Sequence, residues 1–282
     1  MNLGITGGNG FIGSNVYNYL KNKKNINIHK IDLREYEAGG SNKNFVQLDW
    51  VLHFAAKTQI PDKKDEIDHI YYNNITSTLR TISLANQYNS SILFLSTYVY
   101  GKPKYLPIDE KHPLSAINSY INSKLICEKI CSNFFNAENK SIVILRCFNV
   151  YGMGLKPGRL LYDIIHSAIN DKEIVINDSK PKRDYLYIAD FCDLIYKIIT
   201  YNKIVRNTFN VGFGESHSNI ELAEIVRDLM NAKYEIKVKN IPRKNDVAEI
   251  IADISLISDT FNWSPKINLK EGLQAIKNQF NI

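Results

Sequence analysis

The chain has few cysteines, and their spacing does not match a metal site. Its 282 residues include four, Cys127, Cys131, Cys147 and Cys192, and none belongs to a paired motif. The first two lie four residues apart on a predicted helix. We therefore expect four reduced thiols and no bound metal.

Long apolar runs are also absent. No stretch of about 18 apolar residues, the length that a membrane-spanning helix needs, occurs in the sequence. A strand is predicted from residue 2 onward, which leaves no room for a signal peptide. We expect a soluble, cytoplasmic protein with no membrane partner.

The positive charge is spread along the chain. The formal net charge is +6, and a typical cluster, 21–24 (Lys-Asn-Lys-Lys), is short. A nucleic-acid groove concentrates basic residues on one face, so we expect no nucleic-acid partner. A modest positive excess suits an anionic small substrate.

Apolar runs that fit strands alternate with longer stretches that fit helices. This alternation is typical of an α/β fold with a parallel sheet and helices on both faces. With 44% hydrophobic residues, the chain can form one such domain and a smaller lobe. The predicted strands are 2–6, 26–32, 50–54, 92–96, 142–146 and 208–211, and the predicted helices are 14–21, 67–88, 116–136 and 188–201.

A glycine-rich turn separates the first predicted strand from the first predicted helix. Residues 6–13 read Thr-Gly-Gly-Asn-Gly-Phe-Ile-Gly. In this position glycines allow a tight turn, a close approach of backbone N–H groups to a pyrophosphate, and close packing of helix and strand. The helix then presents its positive end to the anion. The motif predicts a Rossmann-like, doubly wound sheet that binds a dinucleotide at Gly7, Gly10, Phe11, Ile12 and Gly13.

An acidic residue closes the second predicted strand, as a dinucleotide site requires. Asp32 follows the run 26–31 and could accept the ribose hydroxyls. Arg34 lies two residues later and could instead neutralise a 2′-phosphate. The sequence favours NAD and leaves NADP open.

The strand and helix pattern weakens after Tyr151. Gly152, Gly154, Pro157 and Gly158 come close together there. We predict that residues 1–151 and about 184–212 form the dinucleotide-binding domain. Residues about 152–183 and 213–282 would form a smaller C-terminal lobe that binds substrate.

A Tyr-x-x-x-Lys pair is the strongest candidate for catalysis. Tyr120 and Lys124 lie one turn apart on a predicted helix, so both side chains share a face. Free tyrosine has a pKa near ~10, and a nearby ammonium favours the phenolate. With a nicotinamide, the pair could carry out alcohol/ketone redox chemistry, in which Tyr120 handles the proton.

Two hydroxyl residues, Ser96 and Thr97, end the predicted strand before that helix. Ligands of parallel sheets bind at the carboxyl ends of strands, so a hydroxyl here could hold a substrate oxygen. Thr97 is favoured because it directly follows Ser96 at the strand end. Counting backward from Tyr100 would select Ser96 instead.

Further segments complete the pattern, and together they resemble the extended short-chain dehydrogenase/reductases, specifically the nucleotide-sugar epimerase/dehydratase group. The resemblance runs nearly end to end. Besides the motifs above, it rests on His53-Phe54-Ala55-Ala56, Asn74, residues 145–152 (Leu-Arg-Cys-Phe-Asn-Val-Tyr-Gly), Arg183-Asp184-Tyr185, Asn210-Val211-Gly212, Arg243 with Asp246, Ala252-Asp253-Ile254 and Trp263-Ser264-Pro265.

The resemblance implies roles on the cofactor side of the site. Ala55 and Ala56 would line the cofactor, with Asn74 beside it, and Ser96, Tyr120 and Lys124 would also contact it. His53 is interpreted as a packing residue and not as a catalyst.

On the substrate side, the resemblance implies a nucleotide-diphosphate sugar. Thr97 and Asn149 would contact it, while Arg183 and Arg243 would bind its diphosphate or ribose, because a guanidinium fork matches phosphate oxygens. It also implies a homodimer formed by the helices around 67–88 and 116–136.

The chain departs from the family pattern between Asp32 and Trp50. The segment is too short for the usual helix and a full third strand. Residues 39–43 are predicted to form a turn and 45–47 a strand remnant. The sequence therefore does not define which residues would line the adenine-binding part of the cofactor site.

Related dehydratases need an acid and a base just after the catalytic threonine. Tyr98 and Val99 occupy that stretch, which argues against 4,6-dehydration.

The compact length and residues 96–101 favour a 4-keto-6-deoxy-sugar nucleotide reductase. A 4-epimerase similar to UDP-glucose 4-epimerase is the alternative. A non-catalytic NAD(P)-binding sensor is a further alternative, and the joint presence of Tyr120 and Lys124 argues against it.

Overall fold

The computed structural model describes residues 1–35, 47–58, 67–136, 138–243 and 246–279. Within these ranges eleven strands and eight helices alternate along the chain. The strands are β1 (Asn2–Thr6), β2 (Asn27–Ile31), β3 (Trp50–His53), β4 (Ser91–Thr97), β5 (Ile142–Cys147), β6 (Asn149–Tyr151), β7 (Ile174–Ile176), β8 (Lys182–Tyr187), β9 (Arg206–Val211), β10 (Ser216–Ser218) and β11 (Ile236–Val238). The helices are α1 (Phe11–Leu20), α2 (Ile67–Gln87), α3 (Ser119–Phe134), α4 (Leu160–Ile169), α5 (Ile188–Ile199), α6 (Asn219–Met230), α7 (Ser255–Phe261) and α8 (Leu269–Gln279).

The main sheet of the described chain has six strands in the order β2-β1-β3-β4-β5-β9. The pairs from β2 through β5 are parallel, with Leu3 opposite Trp50 and Leu52 opposite Leu93. The apolar runs of β1, β3, β4 and β5 are buried, as strands covered on both faces by helices are, whereas the edge strand β2 buries only Ile31. The predicted α/β fold with a parallel sheet is confirmed.

Local chemistry accounts for small differences between predicted and observed helix ends. The helix expected from residue 116 begins at Ser119, because the Asn118 side chain accepts a hydrogen bond from the Ile121 N–H and caps it. The helix expected from residue 14 begins at Phe11, because Gly10 already occupies its N-cap position.

Helices α2 and α3 and one face of the main sheet share an apolar core. Leu84 of α2, Phe94 of β4 and Cys127 of α3 are among its fully buried members. All four cysteines are buried free thiols. Burial raises the pKa of the Cys127 thiol, so this core holds protonated sulfur.

The chain divides into two compact units. The first comprises 1–101, 113–147 and 192–209, and the second comprises 102–112, 148–191 and 210–282. The expected turn at 39–43 and nearly all of the strand remnant at 45–47 lie outside the described residues. Over the described ranges, none of the helices is both long and apolar enough to span a bilayer.

In the second unit, the Asp184 side chain joins its own strand to two other backbone segments, one at 213–214 and one at Ala252. This fully buried carboxylate on β8 accepts hydrogen bonds from the N–H groups of Phe213 (2.6 Å), Gly214 (3.0 Å) and Ala252 (3.1 Å). Burial raises the pKa of Asp184 to about 6, while the three N–H donors act in the opposite direction. Strand β8 also pairs in parallel with β6 and antiparallel with β10.

Candidate active site

The glycine turn has the shape of a phosphate-binding loop. Gly7 has φ +67°, and a Cβ there would lie 2.5 Å from the backbone nitrogen of Ala55. A Cβ on Gly13 would lie 2.2 Å from the Gly7 carbonyl oxygen. Gly10, at the start of α1, is exposed, and the nearest atom to its added Cβ is 3.3 Å away. Two glycines thus permit close packing, and the third leaves the helix terminus open to an anion, so the residues present fit a dinucleotide.

The remaining cofactor candidates of this region surround the same turn. Phe11 and Ile12 form the first turn of α1, and Ala55 and Ala56 follow β3; all four are partly buried. Partial exposure leaves these side chains able to contact a ligand.

Asp32, at the end of β2, is engaged by an arginine. Arg34 donates from Nε to both carboxylate oxygens, at 2.9 and 3.1 Å, and from Nη2 to Oδ2 at 2.5 Å. The Arg34 side chain is 89% exposed, whereas that of Asp32 is 38% exposed. These hydrogen bonds lower the pKa of Asp32 to about 2.

Asn74 connects the loop after β3 with the start of α3. It is 2% exposed, and its Oδ1 accepts the Lys57 N–H at 2.7 Å. Its Nδ2 donates to the Ser123 hydroxyl at 2.8 Å, and that hydroxyl donates to the Tyr120 carbonyl at 2.7 Å. Asn74 therefore supports the backbone that carries Ala55 and Tyr120.

Tyr120 and Lys124 lie one turn apart at the beginning of α3. Tyr120 is partly buried, and Lys124 is only 2% exposed. The Lys124 ammonium lies 4.0 Å from the centre of the Phe94 ring, an arrangement that a cation–π interaction stabilises. Burial lowers the pKa of Lys124 to about 8, against the opposing effect of nearby groups that include Glu128.

The two hydroxyl residues at the end of β4 have different environments. Ser96 is 3% exposed, and its hydroxyl donates to Oε1 of Glu128 at 2.5 Å. Thr97 is partly exposed. Because Ser96 is already committed to a buried carboxylate, the geometry supports Thr97 as the hydroxyl that meets substrate.

His53, at the end of β3, is enclosed by threonines. Its Nδ1 lies 2.7 Å from Oγ1 of Thr6, and its Nε2 lies 3.2 Å from Oγ1 of Thr78. Thr78 donates its own proton to the Asn74 carbonyl, so a neutral imidazole protonated on Nε2 satisfies this network. Burial, and then the charge of Lys124, lower the pKa of His53 well below its ordinary value. This environment supports a structural role for His53.

The sequence did not reveal the roles of Glu128, Arg146 and Ser123. Glu128 and Arg146 are charged residues at positions that the sequence pattern marks as buried. Arg146 lies within an apolar strand, and Glu128 continues the face of Tyr120 and Lys124. A buried charge without an assigned partner is the signal that could have identified them.

The substrate candidates of the second unit form their own cluster. Arg183 donates from Nη2 to Asp246 at 2.6 Å and from Nη1 to the Val247 carbonyl at 2.7 Å. The Asp246 N–H donates to the carbonyl of Arg243, an exposed residue, at 3.2 Å. Asn149, on β6, donates to the Asp184 carbonyl at 3.1 Å. The structure thus brings Arg183 and the Arg243 backbone to the same turn.

Comparison with known proteins identifies the class of protein that this site belongs to. Residues 3–212 match the model of the NAD dependent epimerase/dehydratase family. The chain belongs to this family, which confirms the resemblance inferred from its motifs. It is therefore an NAD(P)-dependent enzyme of the extended short-chain dehydrogenase type.

Individual relatives resemble the chain over nearly its whole length. A putative UDP-glucose 4-epimerase of Methanocaldococcus jannaschii is 28% identical, with 97% of this chain and 96% of the relative covered. The solved UDP-glucose 4-epimerase of Thermotoga maritima, with UDP-glucose, has a TM-score of 0.87 and 24% identity, covering 100% and 99% of the two chains. RMD from Pseudomonas aeruginosa, complexed with NADPH, has a TM-score of 0.87 and 24% identity, covering 99% and 98%.

Proposed function

We propose that the chain is a nucleotide-sugar 4-epimerase that uses Thr97, Tyr120 and Lys124. The observation that carries this proposal is the enclosed Lys124 ammonium, one helical turn from the partly exposed Tyr120 and above the strand that ends in Thr97. A buried ammonium one helical turn from a phenol would favour the phenolate.

In this proposal Tyr120 moves the proton of the sugar C4 hydroxyl. The phenolate accepts that proton while the 4-ketone forms, and the phenol returns it when the ketone is reduced. Thr97 hydrogen-bonds to the same oxygen. Bound nicotinamide supplies the acceptor and donor of hydride.

Two regions would hold the ligands. The glycine turn with Ala55 and Ala56 would hold the cofactor in the first unit. Arg183, Arg243 and Asn149 would hold the nucleotide diphosphate in the second. The ion pair with Asp246 holds Nη2 of Arg183 in place. This fixed guanidinium supports the use of Arg183 as a preorganised phosphate ligand.

One observation favours epimerisation over keto-sugar reduction, and a second argues against dehydration. The M. jannaschii relative, matched along 97% of this chain, is a putative UDP-glucose 4-epimerase. The phenol of Tyr98 donates to the Gly101 carbonyl within its own turn, and Val99 is buried and apolar. Neither side chain offers the acid or base that dehydration requires.

Reduction of a 4-keto-6-deoxy sugar nucleotide, which the sequence favoured, is the second candidate. A reductase must exchange its spent cofactor, and the Arg34 guanidinium beside Asp32 would tolerate the 2′-phosphate of NADPH. The structural similarity to a protein complexed with NADPH is compatible with such a site.

A single assay separates these candidates. The purified chain is incubated with UDP-glucose, UDP-N-acetylglucosamine or 4-keto-6-deoxy sugar nucleotides, and products are followed by NMR together with the absorbance of reduced nicotinamide. We expect interconversion of C4 epimers without net consumption of cofactor. Stoichiometric oxidation of NAD(P)H on a keto sugar would establish the reductase instead.

The control for this assay is Tyr120→Phe, which removes only the phenolic oxygen. It should lower turnover by about 100-fold or more while cofactor still binds. Full turnover by this variant, or no turnover of any sugar nucleotide by the unaltered protein, would contradict the proposal.

The homodimer stays a prediction. Helix α2 leaves Tyr72 68% exposed and Leu79 44% exposed. Spaced by seven residues, these side chains share one helix face, which supports pairing of α2 with a second copy. Sedimentation equilibrium of the intact chain is the direct test.

A further inference from the structure

A buried ionic network lies along α3, below the proposed catalytic residues. Glu128 and Arg146 are 6% and 7% exposed. Arg146 donates from Nη2 to Oε2 of Glu128 at 2.8 Å and from Nε to both carboxylate oxygens at 3.2 Å. The remaining arm of the guanidinium, Nη1, donates to the Tyr100 hydroxyl at 3.1 Å. Both charges are thus fully engaged.

The network joins three elements that converge at the site. Ser96 on β4 and Arg146 on β5 are direct neighbours in the sheet register. Glu128, from α3, accepts hydrogen bonds from both. The carboxylate therefore attaches the helix to the sheet at the residue immediately before Thr97.

The helical spacing extends this attachment to the reactive groups. Tyr120, Lys124 and Glu128 follow one another at intervals of four residues, so they form one stripe on α3. Rotation of the helix about its axis would move all three together. Fixing Glu128 fixes the direction in which the other two side chains leave the helix.

We propose that Glu128 and Arg146 are positioning residues, whose ion pair sets the rotation of α3 on the sheet and thereby holds Tyr120 and Lys124 in register with Thr97. This inference rests on the proposed use of Tyr120 and Lys124 in catalysis. Neither member of the pair takes part in the proton transfer itself.

Energetic considerations separate positioning from ordinary stabilisation. Replacing a buried ion pair by apolar residues of similar volume is often neutral or stabilising, whereas removing one partner leaves an uncompensated charge. If the pair served only stability, apolar side chains could therefore replace it without loss of turnover. If the pair sets the geometry of the site, the same replacement lowers turnover.

The experiment compares single replacements with a charge-balanced double replacement. Glu128→Gln and Arg146→Met each leave one partner unmatched, and both should lower thermal stability and kcat. Glu128→Met combined with Arg146→Met should restore the melting temperature to that of the unaltered protein. Its kcat should stay about 100-fold low, the scale of loss that a misplaced catalytic group produces, with KM for the sugar nucleotide and cofactor affinity within about threefold.

Arg146→Lys and Lys129→Gln complete the series. Arg146→Lys keeps the charge and loses the planar fork, so it should recover stability but not kcat. Lys129→Gln alters the exposed side of the same helix and should match the unaltered protein in every measurement.

A spectroscopic signal makes the test independent of turnover. In protein carrying ¹³C at the tyrosine ζ carbon, the Tyr120 resonance is identified by its absence in Tyr120→Phe. We expect this resonance to move in the double variant and to stay in place in Lys129→Gln. An unmoved resonance, or a double variant with full kcat, overturns the inference. An unaltered protein with no turnover, but with a moved resonance in the double variant, would contradict only the proposed function.

Discussion

Arg34 binds the carboxylate of Asp32 through both Nε and Nη2, two residues along the chain from it. The carboxylate that would receive the ribose hydroxyls of NAD thus already carries a cationic partner. That partner is largely exposed and could equally meet a 2′-phosphate. We therefore predict that cofactor preference depends on a competition between Asp32 and the ligand for Arg34.

Arg34→Ala should shift the preference toward NAD(H). Freed from its partner, Asp32 becomes available to ribose hydroxyls and repels a 2′-phosphate, so the ratio of NADPH to NADH dissociation constants should rise about tenfold. Fluorescence titration with each reduced cofactor measures this ratio. Arg227→Ala, which removes a partly exposed arginine paired with an adjacent aspartate, is the matched control. An unchanged ratio would contradict the competition.

Two glycines of the phosphate turn should respond differently to a methyl group. Gly13→Ala places a Cβ 2.2 Å from the Gly7 carbonyl oxygen and should disrupt the turn, lowering both stability and cofactor affinity. Gly10→Ala meets its nearest atom, also the Gly7 carbonyl oxygen, at 3.3 Å, so it needs only a shift of a few tenths of an ångström and should fold with a much smaller loss of stability. If the anion approaches the helix at Gly10, this variant still loses about tenfold in cofactor affinity. Calorimetric titration and thermal unfolding report the two effects, and normal affinity of Gly10→Ala would place the phosphate elsewhere.

The environments of Ser96 and Thr97 predict a division of roles. Thr97→Val should lower kcat by about 100-fold with little change in folding, because it removes a donor to the substrate oxygen. Ser96→Ala should mainly lower the free energy of unfolding, by about 1 kcal/mol, because Glu128 loses one of its donors. Its kcat should fall by less than about tenfold. Denaturant unfolding and steady-state kinetics on both variants decide the matter, and the opposite pattern would assign catalysis to Ser96.

Lys124→Met should produce an inactive but more stable protein. The ammonium is buried, and its pKa of about 8 lies below the ordinary value of 10.5. At pH 7 the charged form therefore destabilises the fold, so its removal should add about 3 kcal/mol to the free energy of unfolding.

The pH dependence of that gain provides a second measurement. Between pH 8 and 10.5 the folded protein binds fewer protons at Lys124 than the unfolded chain, so the stability of the unaltered protein rises with pH there. The advantage of Lys124→Met should shrink over this window and vanish above it. Urea unfolding at several pH values tests this, and a constant difference would refute the assignment of the pKa.

The sequence predicted the sheet because its strands carry their own signal. Strands such as β1 and β5 are short apolar runs bounded by turn residues, and the alternation with helices implies parallel pairing. The glycine turn and the Tyr120 pair were equally visible, because both depend on short spacings within one element. Long-range side-chain contacts leave no such spacing.

The network around Glu128 shows what local patterns cannot predict. Its members come from β4, α3 and β5, and only the fold makes Ser96 a partner of Glu128. The choice between Ser96 and Thr97 depends on this contact. Sequence spacing alone therefore left that choice open, whereas the geometry supports one answer.

The Asp184 side chain holds part of the carboxyl-terminal third of the chain to the strand β8. Its carboxylate gathers N–H groups from Phe213 and Gly214 and also from Ala252, nearly forty positions further on. A polypeptide ending before Ala252 would leave this buried anion short of one donor. A protease nick between 214 and 252 would instead leave both fragments fastened to the same side chain, so we expect a nicked enzyme to stay in one piece until it is denatured.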